Sequence, residues 1–197
     1  MFSIAVTGGI ACGKSLFGQM LADWGADGVD ADEIVRSLHL PGGKGAEKVA
    51  ASFGSDYLLP DGGTDRRRLG NLIFSDASAR ARLDDLLHPI VRDELLIWKS
   101  QPSATPFKVA QIPLLFEVGW EKDWDLSVCI NAPENVRLER LCARGFSREQ
   151  AQERIAAQMT SAQRAAKADI VINNDATIAE LKVSAQRLFH YLEQKST

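Results

Sequence analysis

The strongest constraint on this chain lies near its amino terminus, where Gly8-Gly9-Ile10-Ala11-Cys12-Gly13-Lys14-Ser15 fits G-x-x-x-x-G-K-[ST]. The apolar run Phe2–Val6 before it is rich in strand formers. After it, Leu16, Phe17, Met20, Leu21 and Trp24 recur at three-to-four spacing, which predicts a helix over 14–24 that Gly25 can cap. Strand, glycine-rich loop and helix in that order form the context in which this motif binds nucleotide phosphate. Gly8 and Gly13 let the backbone approach phosphate oxygens without a β-carbon in the way. Successive amides and the helix N-terminus attract anions. Lys14 can reach the β- and γ-phosphates, and the Ser15 hydroxyl can ligate the Mg²⁺ that bridges them. The nucleotide-contacting set is thus Gly9, Ile10, Ala11, Cys12, Gly13, Lys14, Ser15 and Leu16, with a nucleotide's phosphates and Mg²⁺ expected there. The competing reading is a turn that merely caps a helix.

The rest of the chain alternates strands and helices. Gly28-Val29-Asp30 ends a short second strand, and Phe107–Ile112, Leu126–Ile130 and Ile170–Ile172 read as further strands. Helices are expected at Glu134–Ala143, from the Ser147-x-x-Gln150 capping box to about Met159, and at Ile178–Leu192. That rhythm implies an α/β fold of the P-loop NTPase type, a parallel sheet with helices on both faces. From Glu33 to about Thr105 no strand is expected, only helical segments at Gly45–Phe53, Asp65–Phe74, Ala77–Leu87 and Ile90–Trp98. So long a helical stretch between strands reads as a substrate-binding insertion rather than a plain crossover.

Charge and cysteine usage exclude several classes. In 197 residues, 23 Lys+Arg stand against 26 Asp+Glu, a net charge of −3, which argues against nucleic acid or anionic lipid as the main partner. Cys12, Cys129 and Cys142 lie far apart with no C-x-x-C, and the three histidines lack ligand spacing, so neither a zinc site nor a disulfide framework is expected. No basic residue precedes Lys14, so the N-terminus does not read as a signal peptide. Every apolar run is broken short of the roughly 18 residues a membrane helix needs. The expectation is a cytoplasmic protein that acts on small molecules, as a monomer or weak homo-oligomer.

Two further features bear on chemistry. Asp30-Ala31-Asp32 closes the second strand, and a carboxylate at the carboxyl end of a parallel strand can accept a hydroxyl proton or hold Mg²⁺ through water. The competing reading of one of the two, Asp30 before Asp32, is a helix N-cap. Arg137, Arg140 and Arg144 share one helical face, with Arg148, Arg154 and Arg164 further on. Such arginines serve either as a solvated face or as a lid that neutralises a transferring phosphoryl group. The late Asn173-Asn174-Asp175-Ala176 is not N-K-x-D, so a switch GTPase is disfavoured.

Beyond these features the chain resembles the dephospho-CoA kinase family from Ile4 to Tyr191. The landmarks are Val6–Ile10 with Gly13-Lys14-Ser15, Asp30-Ala-Asp32, Phe53-Gly54, Asp61-Gly62 with Arg66 and Leu69, Ile73-Phe74, Leu87-His88-Pro89 and Pro113-Leu-Leu-Phe-Glu117. Arg140 and Arg144, Gln158, Ala168-Asp169, Ile172 and Asn174 complete them. The resemblance implies ATP-dependent phosphorylation of the ribose 3′-hydroxyl of dephospho-CoA. It implies a nucleotide core at 1–32, 106–133 and 168–197, an acceptor domain at 33–105 and a lid at 134–167. Through it, Asp32 corresponds to the catalytic carboxylate, with Lys14 and Arg140 beside it in catalysis. Arg66, His88 and Pro89 fall to the acceptor side, as does Glu117 unless it serves Mg²⁺ through water or is a plain surface carboxylate, and Arg144 and Asn174 fall to the ATP side. The chain departs from the usual pattern at Ala11 and Cys12, where Gly and Ser are common, at Leu16, usually Thr, and at Ala176, often Gly. Cys12, beside Lys14 at a helix N-terminus, is expected either as a reactive thiolate or as a core-facing stand-in for Ser. A kinase for another small acceptor and a nucleotide-dependent switch module are the rival readings.

Overall fold

The computed structural model describes residues 1–196. Packing divides them into two units, 1–29 with 102–196 and 30–101. The sequence places the ends of the helical insertion at 33 and 105.

The first unit is built on a five-stranded sheet of order β2-β3-β1-β4-β5. Its strands are β1 (Phe2–Thr7), β2 (Asp27–Asp30), β3 (Phe107–Gln111), β4 (Leu126–Asn131) and β5 (Ile170–Asn173). β1 is central and runs parallel to β3, with Val6 opposite Gln111, and to β4, with Val6 opposite Val128. The same alignment continues into β5, where Ile130 faces Ile172. Because helices bury the sheet, its strands read as near-continuous apolar runs. Ile4, Val6, Phe107, Val109, Val128 and Ile130 form the core with Phe17 and Leu21 of α1 (Lys14–Asp23) and Leu181 and Leu188 of α9 (Ile178–Lys195). Trp24 and Phe107 each meet the Phe189 ring edge-on, at 5.9 and 5.2 Å.

Three helices join β4 to β5: α6 (Glu134–Ala143), α7 (Arg148–Ala156) and α8 (Ser161–Lys167). The Ser147–Gln150 capping box opens α7 as the pattern predicts. The helix ends at Ala156, short of the expected Met159, and a second box, Thr160 with Gln163, opens α8. No apolar periodicity announces α8, because its buried side chain is a charged one, Arg164.

The helical unit holds α2 (Ala31–Leu38), α3 (Lys44–Phe53), α4 (Arg66–Ser75) and α5 (Ala77–Ser100). Its centre is Val49, Leu69, Leu83 and Leu87. The sequence predicts a break at Pro89, but α5 runs unbroken through it. Leu83, Leu87, Val91 and Leu95 bury one stripe at four-residue spacing, while Pro89 points to solvent. Four buried side chains at about 1.5–3 kcal/mol each outweigh an interior proline penalty of roughly 3 kcal/mol. Among the described residues no helix is long and apolar enough to cross a membrane.

His39 is buried in this unit, its Nδ1 2.9 Å from the Thr64 hydroxyl. Burial, and then the charge of Arg66, hold its pKa below the usual 6.5. The unfolded chain therefore binds a proton there at higher pH than the folded one does. The stability His39 contributes is present above pH 6.5 and is lost as pH falls from 6.5 through the lowered folded value. His39→Gln is expected to flatten this part of the melting-temperature profile. An unchanged slope below pH 6.5 in thermal melts would refute the assignment.

Candidate active site

β1 delivers the chain to the loop 8–13 at the carboxyl edge of the sheet's central strand. Gly13 caps α1 in the left-handed region, φ +97°, where a β-carbon would also strike the Asn174 amide nitrogen. Asn174 follows β5 and is 6% exposed. Its Nδ2 donates to the Cys12 carbonyl at 2.8 Å, and its backbone N–H donates to Asn131 O at 2.7 Å.

The neighbouring loop carbonyls are engaged from α6. Arg137 Nε donates to Ile10 O at 2.9 Å, and Arg140 Nη1 donates to Ala11 O at 3.2 Å. Arg140 Nη2 also donates to the Asn174 carbonyl at 3.1 Å. Gln158 Oε1 accepts from the Ile10 amide at 2.8 Å. Below these contacts Ala11 packs with Leu138, Leu141, Ala151 and Ile155 of α6 and α7. With three successive carbonyls held, the loop's dipoles are oriented before any ligand arrives.

Positive charge concentrates around Gly9. Arg137 is 3% exposed, Arg164 1% and Lys14 8%. A β-carbon on Gly9 would lie 2.8 Å from Arg137 Nη2 and 3.2 Å from Arg164 Nη1, so the glycine is what lets both guanidinium groups approach the loop. Burial holds Arg137 below the usual arginine range, and neighbouring Arg164 pushes the same way. Glu117, after β3, pairs with Arg164 at 2.7 Å. Charges removed from water need counter-charges, and here two buried guanidinium groups share Gly9 with the carboxylate that pairs with Arg164. The loop is built for an anion.

The other expected residues are distributed as follows. Ser15 and Leu16 are exposed on the first turn of α1, and exposed Arg144 closes α6. In the helical unit Asp30 is the N-cap of α2, its Oδ1 accepting from the Asp32 amide at 2.8 Å. Asp32 is exposed in the first turn of α2. Arg66 begins α4, and His88 sits in α5 with its Nε2 3.9 Å from Asp84 and Pro89 next to it. The sequence did not single out Arg137, Arg164 or Gln158 as loop contacts. Arginine spacing hinted at Arg137 alone. Among the described residues no cluster of three or more His, Cys, Asp or Glu could hold a metal by itself.

A family model described as dephospho-CoA kinase matches residues 2–180. The chain belongs to the dephospho-CoA kinase family. A dephospho-CoA kinase of Frankia casuarinae is 40% identical over 98% of this chain and 84% of its own length. Among solved structures, TT1252 from Thermus thermophilus has a TM-score of 0.81 at 31% identity, covering 97% of both chains. The dephospho-CoA kinase from Campylobacter jejuni has a TM-score of 0.72 at 27% identity, covering 99% of this chain and 98% of its own. The chain is therefore a kinase that transfers phosphate to an alcohol, on a parallel-sheet P-loop fold.

Cys12 is not the reactive thiolate that its position suggests. It is 1% exposed, and its sulfur lies only 2.5 Å from where a β-carbon on Gly8 would stand. Burial raises its pKa and outweighs the opposing pull of the Lys14 backbone hydrogen bond and of the charges on Arg137, Lys14 and Arg164. Cys129 is buried as well and its pKa is pushed up to about 11, whereas Cys142 is exposed on α6. Limited alkylation followed by peptide mapping is expected to label Cys142 first, with Cys12 protected whether or not nucleotide is present. Early labelling of Cys12 would overturn this placement.

Proposed function

We propose that this chain phosphorylates the ribose 3′-hydroxyl of dephospho-CoA with ATP, giving CoA and ADP, the last step of CoA synthesis. The observation that carries the reading is the pre-oriented loop with its buried cations at Gly9, in a chain of this family. Lys14 attracts the β- and γ-phosphates. The Ser15 hydroxyl would hold Mg²⁺, which supplies charge neutralisation at the phosphates when bound. Asp32 orients the acceptor and takes its proton. The 3′-oxygen forms its bond to the γ-phosphorus as the bond to the β,γ-bridging oxygen breaks, and ADP leaves. Asp30 is the weaker candidate for base, because its carboxylate is engaged in capping α2.

Arg140 donates to Ala11 and Asn174, which supports a role in shaping the loop from within a lid over 134–167. Arg144 and Asn174 are assigned to the ATP side. Arg66, His88 and Pro89 are assigned to an acceptor domain over 33–105, and Glu117 to the reaction centre. We place the enzyme in the cytoplasm as a monomer or weak homo-oligomer, in keeping with three cysteines in no disulfide.

Incubation with Mg-ATP and a panel of acceptors, with products identified by mass, tests the reaction. Phosphorylation of another acceptor in place of dephospho-CoA would replace the reading. Asp32→Asn is expected to lower kcat by roughly 10²–10⁴ with little change in ATP affinity. Asp30→Asn should be milder, since Asn caps a helix about as well as Asp. Lys14→Ala should cost about 10²–10³ in kcat in a protein that still folds. Wild-type turnover in Lys14→Ala would remove the phosphate assignment.

A further inference from the structure

Arg164 carries a feature that loop anchoring does not explain. Its side chain is 1% exposed, yet its Nε is buried with no hydrogen-bond partner. Arg137, next to it, is differently committed. It donates to Ile10 O, to the Ser161 hydroxyl at 3.2 Å and to Gln158 Oε1 at 3.5 Å, all of them neutral acceptors. Arg164 instead donates to Glu117 at 2.7 Å and brings Nη1 against Gly9. A buried donor left unpaired costs stability, so a structural role alone would favour a smaller or fully bonded side chain.

The place where Arg164 points has a chemical character. The helix end of the loop, Gly13 to Ser15, presents the amides that cradle inner phosphates, and Lys14 reaches the β- and γ-phosphates. Gly9 stands at the opposite, strand end of the loop. A third phosphate projecting past Lys14 is the group left to meet it.

We propose that Arg164 is a catalytic residue that contacts the terminal phosphoryl group of the bound nucleoside triphosphate, with Glu117 holding the guanidinium in place until that group arrives. This rests on the reading that the loop binds ATP. The Glu117 side chain is 22% exposed, so its carboxylate can turn to water when phosphate takes its place beside Arg164. As the phosphoryl group passes to the acceptor, charge on its equatorial oxygens is met by the guanidinium's planar donors, a match that lysine lacks.

Titration calorimetry with ATP and with ADP, alongside turnover, tests the proposal. Arg164→Lys keeps the buried charge and its pairing with Glu117. It is expected to weaken ATP binding about tenfold, leave ADP within about threefold, and lower kcat about 10²-fold. The double variant Arg164→Met with Glu117→Gln removes both charges together, which avoids a lone buried ion. It should melt near the wild-type temperature and bind ATP no more tightly than ADP. Equal loss of ATP and ADP affinity in both variants would make Arg164 a structural residue and overturn the proposal, as would unchanged kcat in Arg164→Lys. Failure of the wild-type protein to bind either nucleotide would instead remove the underlying ATP reading.

Discussion

The fixing of three consecutive loop carbonyls by side chains from distant parts of the chain underlies the rest of the site. Ile10, Ala11 and Cys12 offer their oxygens to Arg137, Arg140 and Asn174. A flexible glycine-rich loop would otherwise have to order itself around each incoming phosphate. Here the ordering is done during folding, so less is lost when the ligand binds. Arg137 and Arg140 come from a helix whose apolar face, Leu138 and Leu141, packs on Ala11. The hydrophobic contact and the polar clasp hold the same segment from two directions.

The cost of this arrangement is electrostatic. Lys14, Arg137 and Arg164 are almost wholly withdrawn from water, the two guanidinium groups around one glycine. Glu117 relieves one of these charges. The thiol of Cys12 is kept neutral because its own desolvation outweighs the pull of the surrounding cations. A small neutral residue there leaves the positive field for the substrate, and a thiolate would have partly cancelled it.

In the helical unit the governing interactions are apolar and short in range. Val49, Leu69, Leu83 and Leu87 tie α3, α4 and α5 together, and Arg68 over Tyr57 and Arg82 over Phe53 cover the edges of that cluster. α5 tolerates Pro89 because the stripe it buries lies on the other side of the helix. Asp30 shows how two roles in one short motif are divided. Once its carboxylate caps α2, Asp32 is the one exposed on the helix's first turn.

The sequence by itself determined the strands, most of the helices, the phosphate loop and the family. The family rests on resemblance, and the others rest on local patterns: alternation of apolar runs with turn residues, capping boxes, and the spacing of Gly13-Lys14-Ser15. It misjudged Pro89, where a local rule was overridden by burial along a whole helix, and it overlooked α8, whose inward residue is an arginine. It also offered two fates for Cys12, and the choice between them depended on burial that no neighbouring residue announces. Only the tertiary structure decided which arginines reach the loop. Arg137 lies 127 residues from Ile10, and Asn174 lies 162 from Cys12, so their meeting depends on the order of the strands and the path of α6 to α8. Charge patterns along the chain report which side chains are basic. Which of them lose their water, and what they face when they do, is set by packing between segments far apart in sequence.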